Sequence, residues 1–301
     1  MIEFLESVIR GLGTGSVYAL LAIGFVIIYK STGVISFAQP AMMISGAVVV
    51  SYLTPVFGIR TGAGFFAAVL VGALAVAALG LGVERTAIRP MVGRPVFVVA
   101  IITIGLDIAI RVVANGFIGL GARQIGDPWG LSRFSIGSLQ VQWRHVAMMA
   151  TTLVVVAALF WFFRYTRYGL AMRAAAFDQE AALTQGVNVG TVFALSWAMA
   201  GALAAVAGSF LATGAGVDQQ LWIVALAALP AIILGGLDSL EGAVIGGLAV
   251  GVVESLVGTY QRDLAPWLGD NFAIVSPYVL MLVVLLARPY GLFGTPEVKR
   301  V

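Results

Sequence analysis

The chain has 301 residues, of which 60% are hydrophobic and only 10% charged, with a mean hydropathy of +1.03. That balance excludes a soluble globular domain and marks an integral membrane protein, so the net charge of +3 reflects loop arginines and does not suggest a nucleic-acid partner. With no cysteine and one histidine, His145, the chain offers no disulfide, no thiolate metal site and no histidine-based metal or triad chemistry.

The first residues, Met1 to Glu6, carry acids where a signal peptide needs a basic region, so the first apolar stretch is expected to stay as a helix. Apolar stretches run from Gly11 to Tyr29, Val34 to Leu53, Gly62 to Val83, Val96 to Ala114, His145 to Phe163 and Thr191 to Thr213. Three more follow, from Leu221 to Leu234, Ala243 to Val257 and Ala273 to Ala287. They are continuous, not alternating, which favours helices over an outer-membrane barrel. Since a crossing takes about 20 apolar residues, the expected fold is all-α: a polytopic membrane helix bundle of about eight or nine hydrophobic segments, some broken or re-entrant. All are expected to form a single transmembrane domain over residues 1–301.

In chain order, Gly11 and Gly15 form the first small-xxx-small pair, a spacing that lets helix backbones approach closely. Within the second stretch, Ile35-Ser36-Phe37-Ala38-Gln39-Pro40 puts polar groups and a proline at membrane depth, so a helix should kink or start there. Backbone groups freed at such a break need protein or a water-filled path beside them. Ser36, Phe37, Gln39 and Pro40 are therefore candidates for lining a translocation path, with simple packing as the other reading. Arg85, Arg89 and Arg94 then share one short loop, whose basic bias places it in the cytosol. Asp107 and Arg111 lie one helical turn apart in the fourth stretch, where they can neutralise each other or serve a substrate.

The loop from Asn115 to Arg144, with Trp129 and Trp143, falls on the outer side, and its tryptophans suit the membrane interface. The polar interruption from Arg164 to Gly190 returns to the cytosol with Arg164, Arg167 and Arg173. Gly169 to Gln185 is rich in helix formers, and one amphipathic helix is expected, with Phe177, Ala181 and Thr184 on one stripe and Arg173, Asp178, Gln179 and Glu180 turned to water or a partner. A second break stands at Leu234-Gly235-Gly236-Leu237-Asp238-Ser239-Leu240-Glu241. Discontinuous helices of this kind often flank transport pathways, which makes Gly235, Gly236 and Asp238 path candidates. Two more small-xxx-small pairs follow, Gly242/Gly246 and Gly247/Gly251. Glu254 has no charged neighbour in its own stretch, so it is either a pathway residue or the partner of an arginine from another helix. Arg288, Lys299 and Arg300 form the last basic cluster, which puts the C-terminal end in the cytosol.

No nucleophile and base pair stands out, so an enzyme is not expected. Neither lysine, Lys30 or Lys299, lies in the glycine-rich context that cradles phosphates, and ATP-driven work would need a separate subunit. A stand-alone secondary transporter or channel using Asp107, Arg111 or Glu254 for ion coupling is the alternative.

These residues resemble the permease subunits of branched-chain amino acid ABC importers, of the LivH type. Gly11 to Gly24 is similar to the family's first helix, and Ile35 to Pro40 to its I-N-F-A-x-G element, with Ser36 and Pro40 where Asn and Gly are usual. Leu234 to Ser239 with Gly242-Ala243 and Gly246-Gly247 resembles the G-G-x-G-S-x-x-G-A-x-x-G-G run, Asp238 replacing a glycine. Arg288-Pro289-Tyr290-Gly291-Leu292-Phe293-Gly294 matches the R-P-x-G-L-F-G ending. Glu180-Ala181-Ala182 with Gly186 resembles the EAA loop, whose helix docks on the ATPase. The resemblance implies an inner-membrane permease forming the pathway for branched-chain amino acids or a related small polar solute. It also implies a coupling role for Arg173, Phe177, Asp178, Glu180, Ala181, Ala182 and Gly186. The expected partners are a second LivM-like permease subunit, two cytosolic ATPase subunits carrying ATP and Mg, an extracytoplasmic solute-binding protein and membrane lipid. No cofactor or metal is expected on this chain.

Overall fold

A computed structural model describes residues 1–58, 62–91, 93–119, 121–268 and 271–294. Lys299 and Arg300 of the last basic cluster lie outside the described residues. Every apolar stretch is helical over most of its length, because at membrane depth a helix satisfies its own backbone polar groups. In order the helices are α1 (Ile2–Thr32), α2 (Gln39–Phe57), α3 (Gly62–Val83) and α4 (Val96–Ile118). A hairpin of β1 (Arg133–Ile136) and β2 (Leu139–Gln142) precedes α5 (Trp143–Tyr165). Then come α6 (Arg167–Phe177), α7 (Gln179–Thr184), α8 (Val189–Leu211), α9 (Trp222–Leu226), α10 (Ala228–Gly235), α11 (Leu240–Leu264) and α12 (Phe272–Ala287). Among the described residues, seven helices are long and apolar enough to cross a membrane; α9 with α10, and α12, are shorter apolar segments.

The chain falls into two compact units, both discontinuous in sequence. The first comprises Met1–Val26, Trp129–Thr152 and Val224–Val301; the second comprises Ile27–Pro128 and Leu153–Ile223. α1 and α5 each run from one unit into the other.

In the first unit the glycine pairs form one seam. A Cβ on Gly11 would strike the backbone of Val252 at 2.6 Å, and one on Gly15 would strike the Gly247 carbonyl at 2.8 Å. The three small-xxx-small pairs thus serve tight packing within the chain: two join α1 to α11, while Gly242 and Gly246 admit Gly235 and Ala231 of α10. The N-terminal end of α1 meets the hairpin, where Glu6 accepts a hydrogen bond of 2.7 Å from the Gln140 backbone N–H.

The second unit is built on α2, α3 and α8, again with small residues at each crossing. A Cβ on Gly80 or Gly201 would run into the backbone of α8 or α3 respectively, and one on Gly46 into Ala205. Phe65 and Phe210 close the same core edge to face at 5.5 Å. The C-terminal end of α1 meets α7 here, the Gln179 Nε2 donating to the Ser31 carbonyl at 2.9 Å. By contrast α4 and α5 leave Phe97, Ile101, Ile108, Leu153, Val154 and Trp161 exposed, an apolar surface suited to lipid.

Candidate functional site

The polar interruption folds as two helices, not the single amphipathic helix its composition suggested. Asp178 has extended backbone (φ −155°, ψ 110°), which ends α6 at Phe177. Its carboxylate then accepts from the Ala181 N–H at 2.9 Å and so caps α7. An aspartate competes for its own backbone donors, which makes it a better cap than a helix interior residue. The expected stripe of Phe177, Ala181 and Thr184 is broken for that reason. Instead Gly169, Met172 and Ala175 form the buried face of α6, and Ala182 is the buried residue of α7. Phe177 is 95% exposed, and Arg173, Glu180, Ala181 and Leu183 are exposed with it.

Both helices are fixed at their ends. Thr166 caps α6 by accepting from the Gly169 N–H at 3.0 Å, and the absence of a Cβ on Gly169 lets α6 turn back against the Phe162–Phe163 backbone. At the far end of α7 the Gly186 N–H donates to the Leu183 carbonyl and the Val187 N–H to the Ala182 carbonyl, each at 3.0 Å. This is a Schellman closure, and it needs the positive φ of 81° that glycine supplies at position 186. Asn188 then caps α8, accepting from Thr191 at 3.1 Å. α7 is therefore held at its start by the bond from its own Gln179 to Ser31 of α1 and continues through a four-residue link, 185–188, into the capped start of α8.

Sequence reasoning missed a second tie to this region. The turn after α3 widens into a π-type turn at Glu84–Ile88, and Arg89 grips the buried Glu84 carboxylate through two bonds of 3.0 Å. The same guanidinium donates to the Gly190 carbonyl at 3.0 Å, on the first turn of α8. Arg89 had been legible only as a topology marker; its spacing of five from Glu84 is the signal that a π turn brings into register.

The first break behaves as expected of a helix start. α2 begins at Gln39 with Pro40 in its first turn, where a missing N–H costs nothing. Ser36 accepts from the Ala38 N–H at 3.3 Å, and the Phe37 N–H donates to Thr103 of α4 at 3.1 Å. Asp107, one turn further along α4, pairs with Arg111 at 2.6 Å and lies against the Ala41 backbone amide at the start of α2. Arg111 in turn stacks on Trp222, its Cζ 3.9 Å from the ring centroid. Ser36, Gln39 and Pro40 are buried, and both polar atoms of the Gln39 amide are enclosed without a hydrogen-bond partner.

The second break separates α10 from α11. A Cβ on either Gly235 or Gly242 would collide with the other residue's backbone, and Gly236 adopts φ 107°. Ser239 caps α11, accepting from Gly242 at 2.9 Å, with half-buried Asp238 in the turn before it. The open carbonyls of α10 are met by the end of the chain: the Leu292 N–H donates to Leu234 at 2.8 Å and the Phe293 N–H to Gly235 at 3.0 Å. The two glycine-rich motifs are thus one assembly. Glu254 of α11, in the same unit, takes a hydrogen bond from Tyr18 of α1 and, among the described residues, has no arginine within ion-pair distance. The path candidates divide accordingly, with Ser36, Phe37, Gln39, Pro40 and Asp107 in the second unit and Gly235, Gly236, Asp238 and Glu254 in the first.

The family described as "Branched-chain amino acid transport system / permease component" matches residues 7–286, which span both breaks and both capped helices α6 and α7. The chain belongs to this permease family. The chain is 33% identical to the high-affinity branched-chain amino acid transport system permease protein LivH of Escherichia coli, covering 99% of this chain and 98% of that one. It is 30% identical to the corresponding protein BraD of Pseudomonas aeruginosa, with the same coverage. Among solved structures, PsaBC from Streptococcus pneumoniae in complex with Fab shares the fold, at a TM-score of 0.51 and 13% identity over 92% of this chain and 90% of that one. The permease family accounts for the all-α multi-span architecture and for a transport component in place of an enzyme.

Proposed function

We propose that this permease is the membrane subunit of an ATP-driven importer and that α6 and α7 couple it to the ATPase. The observation that carries this reading is the fixed and exposed α7. It is capped by Asp178, closed by Gly186, tied to α1 by Gln179 and joined to α8, while Phe177, Glu180 and Leu183 remain on the surface. A short helix anchored at both ends moves its neighbours when it is pushed, and a loose loop does not. ATP with its Mg would reside on two cytosolic ATPase subunits, and a second LivM-like permease subunit and an extracytoplasmic binding protein would complete the transporter in the bacterial inner membrane. The cargo is a branched-chain amino acid or a related small polar solute, in keeping with the full-length similarity to LivH and BraD. Ser36, Phe37, Gln39, Pro40, Asp107, Gly235, Gly236, Asp238 and Glu254 remain the pathway candidates of this proposal, those at the breaks as the elements whose rearrangement opens it.

The test is uptake and ATP hydrolysis by the chain reconstituted with its partner subunits. Glu180→Arg and Gly186→Trp are expected to reduce solute-stimulated hydrolysis about tenfold or more, with membrane insertion intact. Unchanged hydrolysis in both variants would remove the coupling role, and uptake driven by an ion gradient without ATP would favour a secondary transporter.

A further inference from the structure

Between α2, α3 and α4 the second unit carries a groove of about 370 Å³, walled by Val48 and Val49 of α2, Leu79 of α3, and Ala109, Val113 and Phe117 of α4. The polar side chain in its wall, Ser45, donates to the Ala41 carbonyl at 2.7 Å, so the groove offers a polar solute nothing to bind. From Ala109 to Phe117 it follows α4 for about 12 Å, most of one leaflet of a hydrocarbon core about 30 Å thick. One end of it is charged. Phe117 sets its ring edge-on to Tyr52 at 6.4 Å, and the Tyr52 hydroxyl donates to the Phe117 carbonyl at 2.9 Å. Over the Tyr52 ring lies the guanidinium of Arg123, its Cζ 3.4 Å from the centroid. Two backbone hydrogen bonds of 2.8 Å pin Arg123 to Val217. Its Nε is enclosed without an acceptor, and among the described residues no carboxylate lies within ion-pair distance. The two Nη groups keep four N–H donors. A fixed cation thus stands at the mouth of an apolar groove, beside a tyrosine of the kind that marks the membrane interface.

We infer that this groove holds one anionic phospholipid, with an acyl chain lying between α2 and α4 and the phosphate on the Nη donors of Arg123. The apolar wall selects a hydrocarbon chain, and a guanidinium presents paired donors that suit phosphate oxygens. With no carboxylate beside Arg123 to receive an ammonium, a head group of net negative charge is favoured over a zwitterionic one. The stacking on Tyr52 and the bonds to Val217 hold the guanidinium in place before the lipid arrives, which lowers the ordering cost of binding. The site lies in the second unit and involves neither α6 nor α7, so it is independent of coupling to an ATPase.

The full chain, purified alone into nanodiscs of equal parts phosphatidylglycerol and phosphatidylcholine with identical acyl chains, is released into native mass spectrometry, which reads the lipids that stay bound. Retention of phosphatidylglycerol is expected to exceed that of phosphatidylcholine about tenfold or more. Arg123→Gln should remove that preference, and Ala109→Phe, which fills the groove at the end away from the guanidinium, should reduce retention of both lipids. Equal retention of the two lipids by the unaltered chain overturns the site, as does a preference that survives in Arg123→Gln. A stable dimer that Ala109→Phe dissociates, with no preference for phosphatidylglycerol, would overturn it too and give the groove to a second copy of the chain. The lipid comparison uses the unaltered chain and stands even where Arg123→Gln disturbs Tyr52.

Discussion

At the level of single residues, the carboxylates divide by the company they keep. Glu84 is buried, yet Arg89 covers it with two hydrogen bonds and reaches on to α8, whereas Asp107 is held by Arg111. Removing one partner of such a pair strands a desolvated charge, which costs more than the pair contributes. Arg89→Ala is thus expected to destabilise the second unit by about 1–3 kcal/mol, and the double variant Glu84→Gln/Arg89→Ala to recover part of that loss. Thermal unfolding in detergent, followed by near-ultraviolet circular dichroism, measures both. A double variant no more stable than the single one would show that the guanidinium acts only through Gly190. The Asp107–Arg111 pairing was readable from a one-turn spacing, but the grip of Arg89 on Glu84 depends on a π turn that no helical periodicity announces.

At the level of elements, the nine apolar stretches mapped onto helices because length and backbone satisfaction leave a membrane segment little choice. The interruption between them was harder to read. Its helix formers are legible in the sequence, but helical periodicity puts Asp178 on a solvated face when it is a cap, a role marked by its own residue type at the head of Gln179-Glu180-Ala181. The glycine seam between α1 and α11 was visible as spacing, and only the partner was missing. Because Gly15 and Gly251 pack backbone to backbone, Gly251→Leu is expected to separate the helices and lower stability by about 1–3 kcal/mol or more. Gly82, which faces open space, should tolerate alanine with little change. Comparing the unfolding temperatures of Gly251→Leu and Gly82→Ala checks the contrast, and equal shifts would mean that the seam is not a tight one.

For the whole molecule, the side of the N-terminus could not be read from its own sequence, since the first turns of α1 carry acids and one arginine. The structure supplies what was missing: the start of α1 meets the hairpin and its end meets α7. Under the proposed coupling role, which puts the arginine-rich α6 region in the cytosol, the N-terminal end is expected outside. The natural absence of cysteine makes this simple to check. A single cysteine at Glu3 should react with an impermeant maleimide in intact cells, and one at Glu180 only after the membrane is opened; the reverse pattern would invert the topology. The link between the C-terminal motif and α10 was equally hidden, because a backbone pairing between distant segments leaves no local pattern.

The glycine seam also imposes an order in time. Gly15 leaves the ribosome about 240 residues ahead of Gly251, an interval of roughly 10–50 s at ordinary rates of synthesis. Throughout it, α1 must wait with Ser7, Arg10 and its bare glycine backbone unmatched, while both segments of the second unit, Ile27–Pro128 and Leu153–Ile223, are synthesised. The first helix made is among the last to find its neighbour, so a nascent chain halted before α11 exposes to the insertion machinery a helix with a polar, small-residue flank that no later segment covers.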